Sequence, residues 1–257
     1  GMKIYRDFAN GKWVRPIILE LGGKNPAIVS RHADLEAAAV GIVRSAFGLQ
    51  GQKCSACSRV YIEEPVYDAL VEKLVELTQN LTIGDPTNRA NYLGPVINKS
   101  SYADYKSIMD EIKREGRVLT GGDVLTDGDL AKGFFCAPAL AELPLTHRLW
   151  QVEMFLPITT VTRVASLEEG MRYANDVMYG LTAGFYGSEE EAAWFYDQIE
   201  AGVTYANRPQ GATTGAWPGF QPFGGWKGSG SSGKNAGGHY YLPLYMHEQI
   251  RTLVRKA

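Results

Sequence analysis

Residues 158–206 read ITTVTRVASLEEGMRYANDVMYGLTAGFYGSEEEAAWFYDQIEAGVTYA, and this stretch decides the fold. Short β-branched and apolar segments alternate here with longer segments of helical period. The strand-like segments are 158–164, 181–186 and 203–206, and the helix-like segments are 167–175 and 189–200. Strands separated by single helices predict a mostly parallel sheet covered by helices on both faces. The expected fold class is α/β.

The same alternation extends toward the N-terminus. Strands are predicted at 26–30 and 60–62, and helices from Asp34, from Pro65 to about Asn80, and over roughly 100–115. Asp34 is a favoured N-cap, Pro65 suits a first helical turn, and Gly116 suits a helix end. The turn-rich residues 121–133 are predicted to form a surface excursion.

Both ends of the chain differ from this pattern, so we divide it into three parts. Residues 1–16 predict a short hairpin, since Asn10-Gly11 supplies the φ > 0 residues of a tight turn. Residues 17–239 form the main domain, which ends in a long glycine-rich loop over 211–238. Residues 240–257 form a tail that is apolar and extended up to Leu253.

Composition excludes several classes of protein. The 257 residues are 45% hydrophobic with a formal net charge of -2, which does not fit a dedicated nucleic-acid binder. No run approaches the 18 apolar residues of a membrane span, and the N-terminus lacks the apolar run of a secretory signal. Three cysteines cannot build a disulfide framework and fit a reducing compartment, so the expected location is the cytoplasm.

Two short motifs suggest chemistry that their context does not support. Residues 228–233 match the dinucleotide pattern G-x-G-x-x-G, but they do not lie between a buried strand and an amphipathic helix. Cys54 and Cys57 form a C-x-x-C pair without a second pair to complete a zinc site, and they do not follow a strand as a thioredoxin-like dithiol would. The remaining candidate ligands, Cys136, His32, His147 and His239, are isolated in the sequence. We expect no metal.

A single reactive cysteine is the stronger hypothesis. Cys54 lies in a small, polar, glycine-led turn, which leaves a thiol accessible and the backbone free to donate hydrogen bonds. A thiolate attacks carbonyl carbon readily, and neighbouring N–H groups stabilise the resulting oxyanion. Taken alone, a buried structural cysteine would be the better explanation of this residue.

Five segments in order resemble the aldehyde dehydrogenase superfamily. They read LELGGKNP at 19–26, GQKCSACSR at 51–59, EMFLP at 153–157, NDVMYGL at 175–181 and PFGGWKGSG at 222–230. The resemblance covers residues 17–254 and implies that this chain takes the fold of the family's catalytic domain. Leu156 departs from the pattern, which has glycine beside the cofactor.

The resemblance implies site residues and a cofactor. Cys54 would be the nucleophile and Glu20 the general base that activates water against a thioester. Glu153 would contact the nicotinamide ribose of NAD, Phe155 would pack near the ring, and Phe223 would line the aldehyde pocket.

The substrate implied is a small aldehyde. Residues 52–59 and 214–223 resemble the branch of the family that oxidises glutamate semialdehyde to glutamate. An α-carboxylate needs hydrogen-bond donors, which the backbone at Gly215 and Ala216 and the hydroxyl of Ser55 would supply.

The family carries a nucleotide-binding domain before the glutamate segment, whereas only 19 residues precede Glu20 here. Such a domain needs on the order of 100 residues. The chain resembles one joined across an internal deletion near Arg15-Pro16, so we expect it to bind NAD poorly when isolated. NAD and NADP are not distinguished.

Two other functions compete with this one. Cys54 and Glu20 could act as a cofactor-free esterase or thioesterase, because acyl transfer and hydrolysis need no hydride acceptor. Alternatively, the chain could be a non-catalytic partner that assembles with family members. Its tail 240–253 resembles the family's oligomerisation strands, and a homodimer or higher homo-oligomer is expected.

Overall fold

A computed structural model describes residues 1–208, 221–231 and 236–255. Its strands are β1 (Asn25–Val29), β2 (Cys57–Glu63), β3 (Arg117–Thr120), β4 (Ala139–Glu142), β5 (Ile158–Val164), β6 (Tyr179–Gly180), β7 (Thr182–Tyr186), β8 (Val203–Ala206) and β9 (Trp226–Lys227). Its α-helices are α1 (Met2–Ala9), α2 (Leu35–Phe47), α3 (Glu64–Gln79), α4 (Lys99–Glu115), α5 (Leu167–Asn175) and α6 (Glu189–Gln198).

Seven strands form one sheet in the order β3-β4-β5-β2-β1-β7-β8. Every neighbouring pair is parallel except β3 and β4, which are antiparallel. Strands β6 and β9 form a separate antiparallel pair. The predicted α/β class and mostly parallel sheet are confirmed.

Helices cover both faces of this sheet, as predicted. Ala27 and Val29 of β1 pack on one face with α2 and α3, whereas Ile28 packs on the other with α4, α5 and α6. Because successive side chains of a strand point to opposite faces, a strand buried on both sides reads as a continuous apolar run. Strand β1 is buried at all five positions.

The N-terminal hairpin prediction is wrong. Residues Met2–Ala9 form helix α1, and Asn10 continues the turn with φ -85° while its N–H donates to the carbonyl of Arg6. Apolar residues Met2, Tyr5 and Phe8 recur at helical spacing, and no strand follows to pair across Asn10-Gly11. A turn dipeptide needs two strands to define a hairpin, and this one lacks both.

Two further differences concern short or unpaired segments. Strands β3 and β4 have four residues each and were not predicted, because so short a run carries little periodic signal. The described part of the tail contains one 3-10 turn, Leu242–Tyr245, and no strand. In the described residues, no helix is both long and apolar enough to cross a membrane.

Candidate active site

The predicted nucleophile lies at the edge where β1 and β2 begin. Cys54 precedes β2 by three residues, and the segment of Glu20 leads into β1. Since β1 and β2 are parallel neighbours, their amino ends place both segments at one edge of the sheet. The two motifs of the sequence therefore meet in space.

A strained turn precedes Cys54. Leu49, Gln50 and Gly51 have φ of 54°, 57° and 65°, a conformation that is rare for leucine and glutamine. A Cβ atom on Gly51 would lie 2.3 Å from the carbonyl oxygen of Leu156, so only glycine allows this approach. Strain of this kind persists where surrounding contacts fix the backbone, and it is common at active sites.

Asn25 holds the nucleophile turn against the sheet. Its Nδ2 donates to the carbonyl oxygens of Cys54 at 2.8 Å and Ala56 at 2.9 Å. Its Oδ1 accepts from the backbone N–H of Thr182 at 3.0 Å. This buried amide therefore links three segments of the site. Asn25 belongs to the first of the five segments, but the sequence alone does not indicate this structural role.

The Cys54 thiol faces two carboxylates. Partial burial raises its pKa most, and the negative charges of Glu20 and Glu153 raise it further. The backbone N–H groups of Cys54 and Ser55 hydrogen-bond to the sulfur and lower the pKa in part. The thiol therefore keeps its proton at neutral pH and must lose it before the sulfur can act as a nucleophile.

Glu20 is exposed and forms an isolated β-bridge with the glycine-rich loop. It pairs antiparallel with Gly230, and the N–H of Leu21 donates to the carbonyl of Ser229 at 3.0 Å. The Ser229 hydroxyl is fully buried, donates to the carbonyl of Gly22 at 2.7 Å, and accepts from the N–H of Gly180 at 3.0 Å. The described part of the loop therefore forms a wall beside Glu20.

Glu153 and Phe155 lie in the segment that precedes β5. The Oε1 of Glu153 accepts from the N–H of Gly23 at 3.0 Å. Burial raises the pKa of Glu153, and both this bond and the Lys24 charge oppose the increase. Phe155 has φ 55° and is 45% exposed, so its ring is open to a ligand. Leu156, which departs from the family pattern, is buried behind it.

The remaining predicted substrate residues are only partly brought together. Ser55 is buried, and its carbonyl accepts from the Thr182 hydroxyl at 3.3 Å. Phe223 is half-buried and forms an antiparallel bridge with Ala236. The predicted backbone donors, Gly215 and Ala216, lie outside the described residues.

The two motifs set aside from the sequence have ordinary structural positions. Cys57 is buried at the start of β2, donates to the carbonyl of Arg59 at 3.6 Å, and has its pKa raised to about 12 by burial. The described part of the G-x-G-x-x-G match follows a two-residue exposed strand, β9, and not a buried one.

His147 is less isolated than its sequence position indicates. Its Nε2 lies 3.1 Å from a carboxylate oxygen of Glu115 and 3.4 Å from one of Glu111. Each carboxylate also pairs with an arginine, Arg114 or Arg148. The Nδ1 atom accepts from a backbone N–H, which places the proton of a neutral ring on Nε2. The cluster is therefore an ion-pair network, which the sequence analysis missed because its members are far apart in sequence.

A cavity of about 750 Å³ lies elsewhere, between residues 83–95 and 129–135. It contains none of the predicted site residues. The size of a cavity helps to locate a ligand site that is enclosed by protein. The site around Cys54 lies instead at an edge of the sheet. We therefore locate the active site by its chemistry.

Comparisons with known proteins identify the family of this chain. The aldehyde dehydrogenase family model matches residues 1–250. The chain is 41% identical over 255 residues to 1-pyrroline-5-carboxylate dehydrogenase of Geobacillus sp. (strain WCH70), covering 96% of this chain and 47% of that protein. It is 40% identical to the enzyme of the same name from Bacillus subtilis, with the same coverage. The chain spans about half the length of the curated relatives it matches.

Solved structures give the same result. A 1-pyrroline-5-carboxylate dehydrogenase from Thermus with bound NAD superposes with a TM-score of 0.87 at 36% identity, covering 95% of this chain and 47% of that one. Betaine aldehyde dehydrogenase from Staphylococcus aureus, in complex with NAD+, gives 0.88 at 28% identity, covering 95% and 48%. Because the fold, the paired motifs and these matches all agree, we conclude that the chain belongs to the aldehyde dehydrogenase family.

Proposed function

We propose that this chain carries the acyl-transfer site of an NAD-dependent aldehyde dehydrogenase, with Cys54 as nucleophile and Glu20 as general base. The observation that carries this proposal is that the segments of Cys54 and Glu20 meet at the amino ends of two neighbouring parallel strands. Asn25 binds the carbonyl of Cys54 there at 2.8 Å, and the N–H of Gly23 binds Glu153 at 3.0 Å. A thiol and a carboxylate in one site supply both the nucleophile and the base that acyl transfer requires.

The first step is attack on the aldehyde. Because burial and its neighbours raise the pKa of Cys54, the thiol must first release its proton to water. The sulfur then bonds to the carbonyl carbon, and the oxyanion forms close to the N–H groups of Cys54 and Ser55. A nicotinamide nucleotide held by Glu153 and Phe155 would supply the hydride acceptor, and the acyl group would then stay on Cys54 as a thioester.

The second step is hydrolysis. Glu20 takes a proton from water as the water oxygen attacks the thioester carbon. The carbon–sulfur bond breaks, the acid leaves, and the thiolate of Cys54 is regenerated. Glu20 then releases the water proton to solvent, which frees the carboxylate for the next cycle, and the product acid ionises as it leaves.

The described residues fit part of a nicotinamide nucleotide. Glu153 offers a carboxylate to a ribose, and the exposed ring of Phe155 offers a packing surface. A pyrophosphate is usually held by free N–H groups at a helix N-terminus. In α2, α4, α5 and α6 an N-cap side chain already accepts from one or two of those groups, so fewer remain for a phosphate at these four ends.

The isolated chain should consequently bind NAD poorly. Calorimetric titration should show no heat from binding at micromolar NAD. Micromolar affinity would contradict this part of the proposal and would require a phosphate site within the chain.

The proposed substrate is glutamate semialdehyde, the open form of 1-pyrroline-5-carboxylate. Support comes from the names of the curated relatives and from the predicted α-carboxylate donors Gly215, Ala216 and Ser55. Phe223 would line the aldehyde pocket. The aldehyde should protect Cys54 from iodoacetamide by forming a thiohemiacetal, while a straight-chain aldehyde without the α-carboxylate should protect less. Equal protection by both would argue against this substrate.

A second candidate function is a cofactor-free esterase or thioesterase. It is favoured by the presence of nucleophile and base in a chain that should bind NAD poorly. Turnover of an activated ester that disappears in Cys54→Ala would support it, whereas turnover that persists in this variant would exclude Cys54 as its nucleophile.

We also propose that the chain is a homodimer or higher homo-oligomer. The tail exposes apolar side chains, with Ile250 at 94% and Val254 at 85%. Exposed apolar segments of this kind mark interaction surfaces. A monomeric mass by light scattering would contradict the proposal, and with it the alternative of a non-catalytic assembly partner.

A further inference from the structure

The segment that carries Glu20 is held by contacts from outside itself. Residues 17–24 lie between α1 and β1, outside the helices and strands given above, and Glu20 is exposed. A segment of this kind has no ladder of its own, so its N–H and C=O groups must bind to other residues or to solvent. The direction of the Glu20 side chain therefore depends on what holds this backbone.

One contact comes from a serine of the glycine-rich loop and binds the segment before Glu20. The Ser231 hydroxyl accepts from the N–H of Leu19 at 3.0 Å and donates to the carbonyl of Ile17 at 3.2 Å. One hydroxyl thus binds a donor and an acceptor of the same short segment. Ser231 therefore fixes the backbone on the N-terminal side of Glu20.

A second serine of the loop binds the segment after Glu20. The Ser229 hydroxyl donates to the carbonyl of Gly22 at 2.7 Å, and the Ser229 carbonyl accepts from the N–H of Leu21 at 3.0 Å. Ser229 is fully buried, whereas Ser231 is exposed. The two serines together hold the backbone on both sides of the predicted base.

The turn that carries Ser229 is itself anchored to the main domain. Strand β9 pairs with β6, and the N–H of Gly228 donates to the carbonyl of Met178 at 2.8 Å. The N–H of Ser229 donates to the carbonyl of Trp226 at 3.0 Å. A Cβ atom on Gly225 would lie 2.4 Å from the Cβ atom of Ser229, so this turn is closely packed. Ser229 is therefore a fixed point against which the Glu20 segment is set.

The register of this contact decides which way Glu20 points. Glu20 forms an antiparallel bridge with the loop, and successive side chains of strand-like backbone point to opposite sides. A slip of one residue would consequently turn Glu20 to the other side. The same segment reaches the nucleophile turn, because a Cβ atom on Gly23 would lie 2.3 Å from the carbonyl oxygen of Cys54. The register therefore sets the position of Glu20 relative to Cys54.

We propose that Ser229 and Ser231 are positioning residues for the general base, whose hydroxyls fix the register of residues 17–22 and so direct the Glu20 carboxylate toward Cys54. This inference rests on the proposed function, because it assigns both serines to the step in which Glu20 activates water. Each hydroxyl binds backbone groups and acts on the reaction only through Glu20. A misplacement of about 1 Å can slow a reaction about 100-fold, so the loss of a hydroxyl should be measurable as a slower hydrolysis.

Hydrolysis of an acetyl group on Cys54 tests this proposal in the full chain. The chain is acetylated with an activated ester, and loss of the acetyl group is followed by mass spectrometry. Ser229→Ala should slow release by water roughly 10- to 100-fold. Ser231→Ala removes exposed bonds and should slow it several-fold. In the Glu20→Gln background neither substitution should slow release further, because both serines act through this carboxylate.

Two controls separate positioning from general support of the fold. Hydroxylamine attacks a thioester carbon without help from a carboxylate, so it should release the acetyl group from both serine variants at the wild-type rate. Ser166→Ala is the matched variant, because it removes a hydroxyl that accepts from the N–H of Glu169 at 3.3 Å. Ser166 follows β5 at the carboxyl edge of the sheet, opposite the amino ends of β1 and β2. It should leave both release rates unchanged.

The possible results are distinct. Release by water at the wild-type rate in both serine variants overturns the inference, and so does the same slowing with and without Glu20. Slowing of hydroxylamine release by the same factor would show a general change of the site and would also overturn it. Ser231 is exposed, so Ser231→Ala keeps the test decisive where Ser229→Ala does not fold. Failure of the proposed function differs, since Glu20→Gln itself would then release the acetyl group as fast as the wild type.

Discussion

The replacement of Asn25 tests how the nucleophile turn is held. Asn25→Ala removes three hydrogen bonds, to the carbonyls of Cys54 and Ala56 and from the N–H of Thr182. At about 1 kcal/mol for each, with no water to replace them, the free energy of unfolding should fall by roughly 3 kcal/mol. Urea denaturation should show the midpoint lowered by about 1 M at a slope of about 3 kcal/mol/M.

Two further variants separate the hydrogen bonds from the loss of volume. Asn25→Asp keeps the shape and the acceptor but loses both donors and places negative charge against two carbonyls, so it should destabilise at least as much. Asn175→Ala removes two comparable bonds, with Gln198 and Glu200, at a partly exposed position and should cost about 1 kcal/mol. If Asn25→Asp were as stable as the wild type, or if Asn25→Ala cost no more than Asn175→Ala, the reasoning would be refuted.

Three other predictions concern the thiol and its walls. Glu20→Gln removes a negative charge that raises the pKa of Cys54. Iodoacetamide should therefore alkylate Cys54 several-fold faster at pH 8 in this variant, because more of the thiol is ionised. An unchanged rate would contradict this effect of Glu20 on the thiol. Ser229→Ala loses two buried bonds and should cost about 2 kcal/mol in urea denaturation while exposing the glycine-rich loop to limited proteolysis. Gly51→Ala places a Cβ atom against the Leu156 carbonyl at φ +65° and should cost roughly 3 kcal/mol, with wild-type stability as the contradicting result.

Much of the fold could be predicted because its signals are local. Alternating strands and helices gave the α/β class, and α5 and β8 have the predicted bounds. Asp34 caps α2 as predicted, accepting from the N–H groups of Glu36 and Ala37. The hairpin failed because a turn signal was interpreted without strands on either side of it. Periodicity is reliable in long segments and weak in short ones.

The candidate site was predictable only in part. The motifs identified Cys54, Glu20 and Glu153, and their segments meet at one edge of the sheet. Sequence could not show that the site lies at the amino ends of β1 and β2, since ligands in open parallel sheets usually bind at the carboxyl ends.

Asn25 and Ser229 were missed as residues of the candidate site for a different reason. Their roles come from long-range contacts and depth of burial. Ser229, for example, joins Gly22 and Gly180 through one hydroxyl, although both are far from it in sequence. No periodic pattern marks such a residue.

Covalent trapping of the acyl intermediate tests the central claim most directly. The chain is mixed with an activated acetyl ester, quenched in acid and digested for mass spectrometry. We predict one acetyl group on Cys54, transient in the wild type, accumulating in Glu20→Gln and absent from Cys54→Ala. An acetyl group on another residue with Cys54 unmodified, or equally rapid deacylation in Glu20→Gln, would contradict the account.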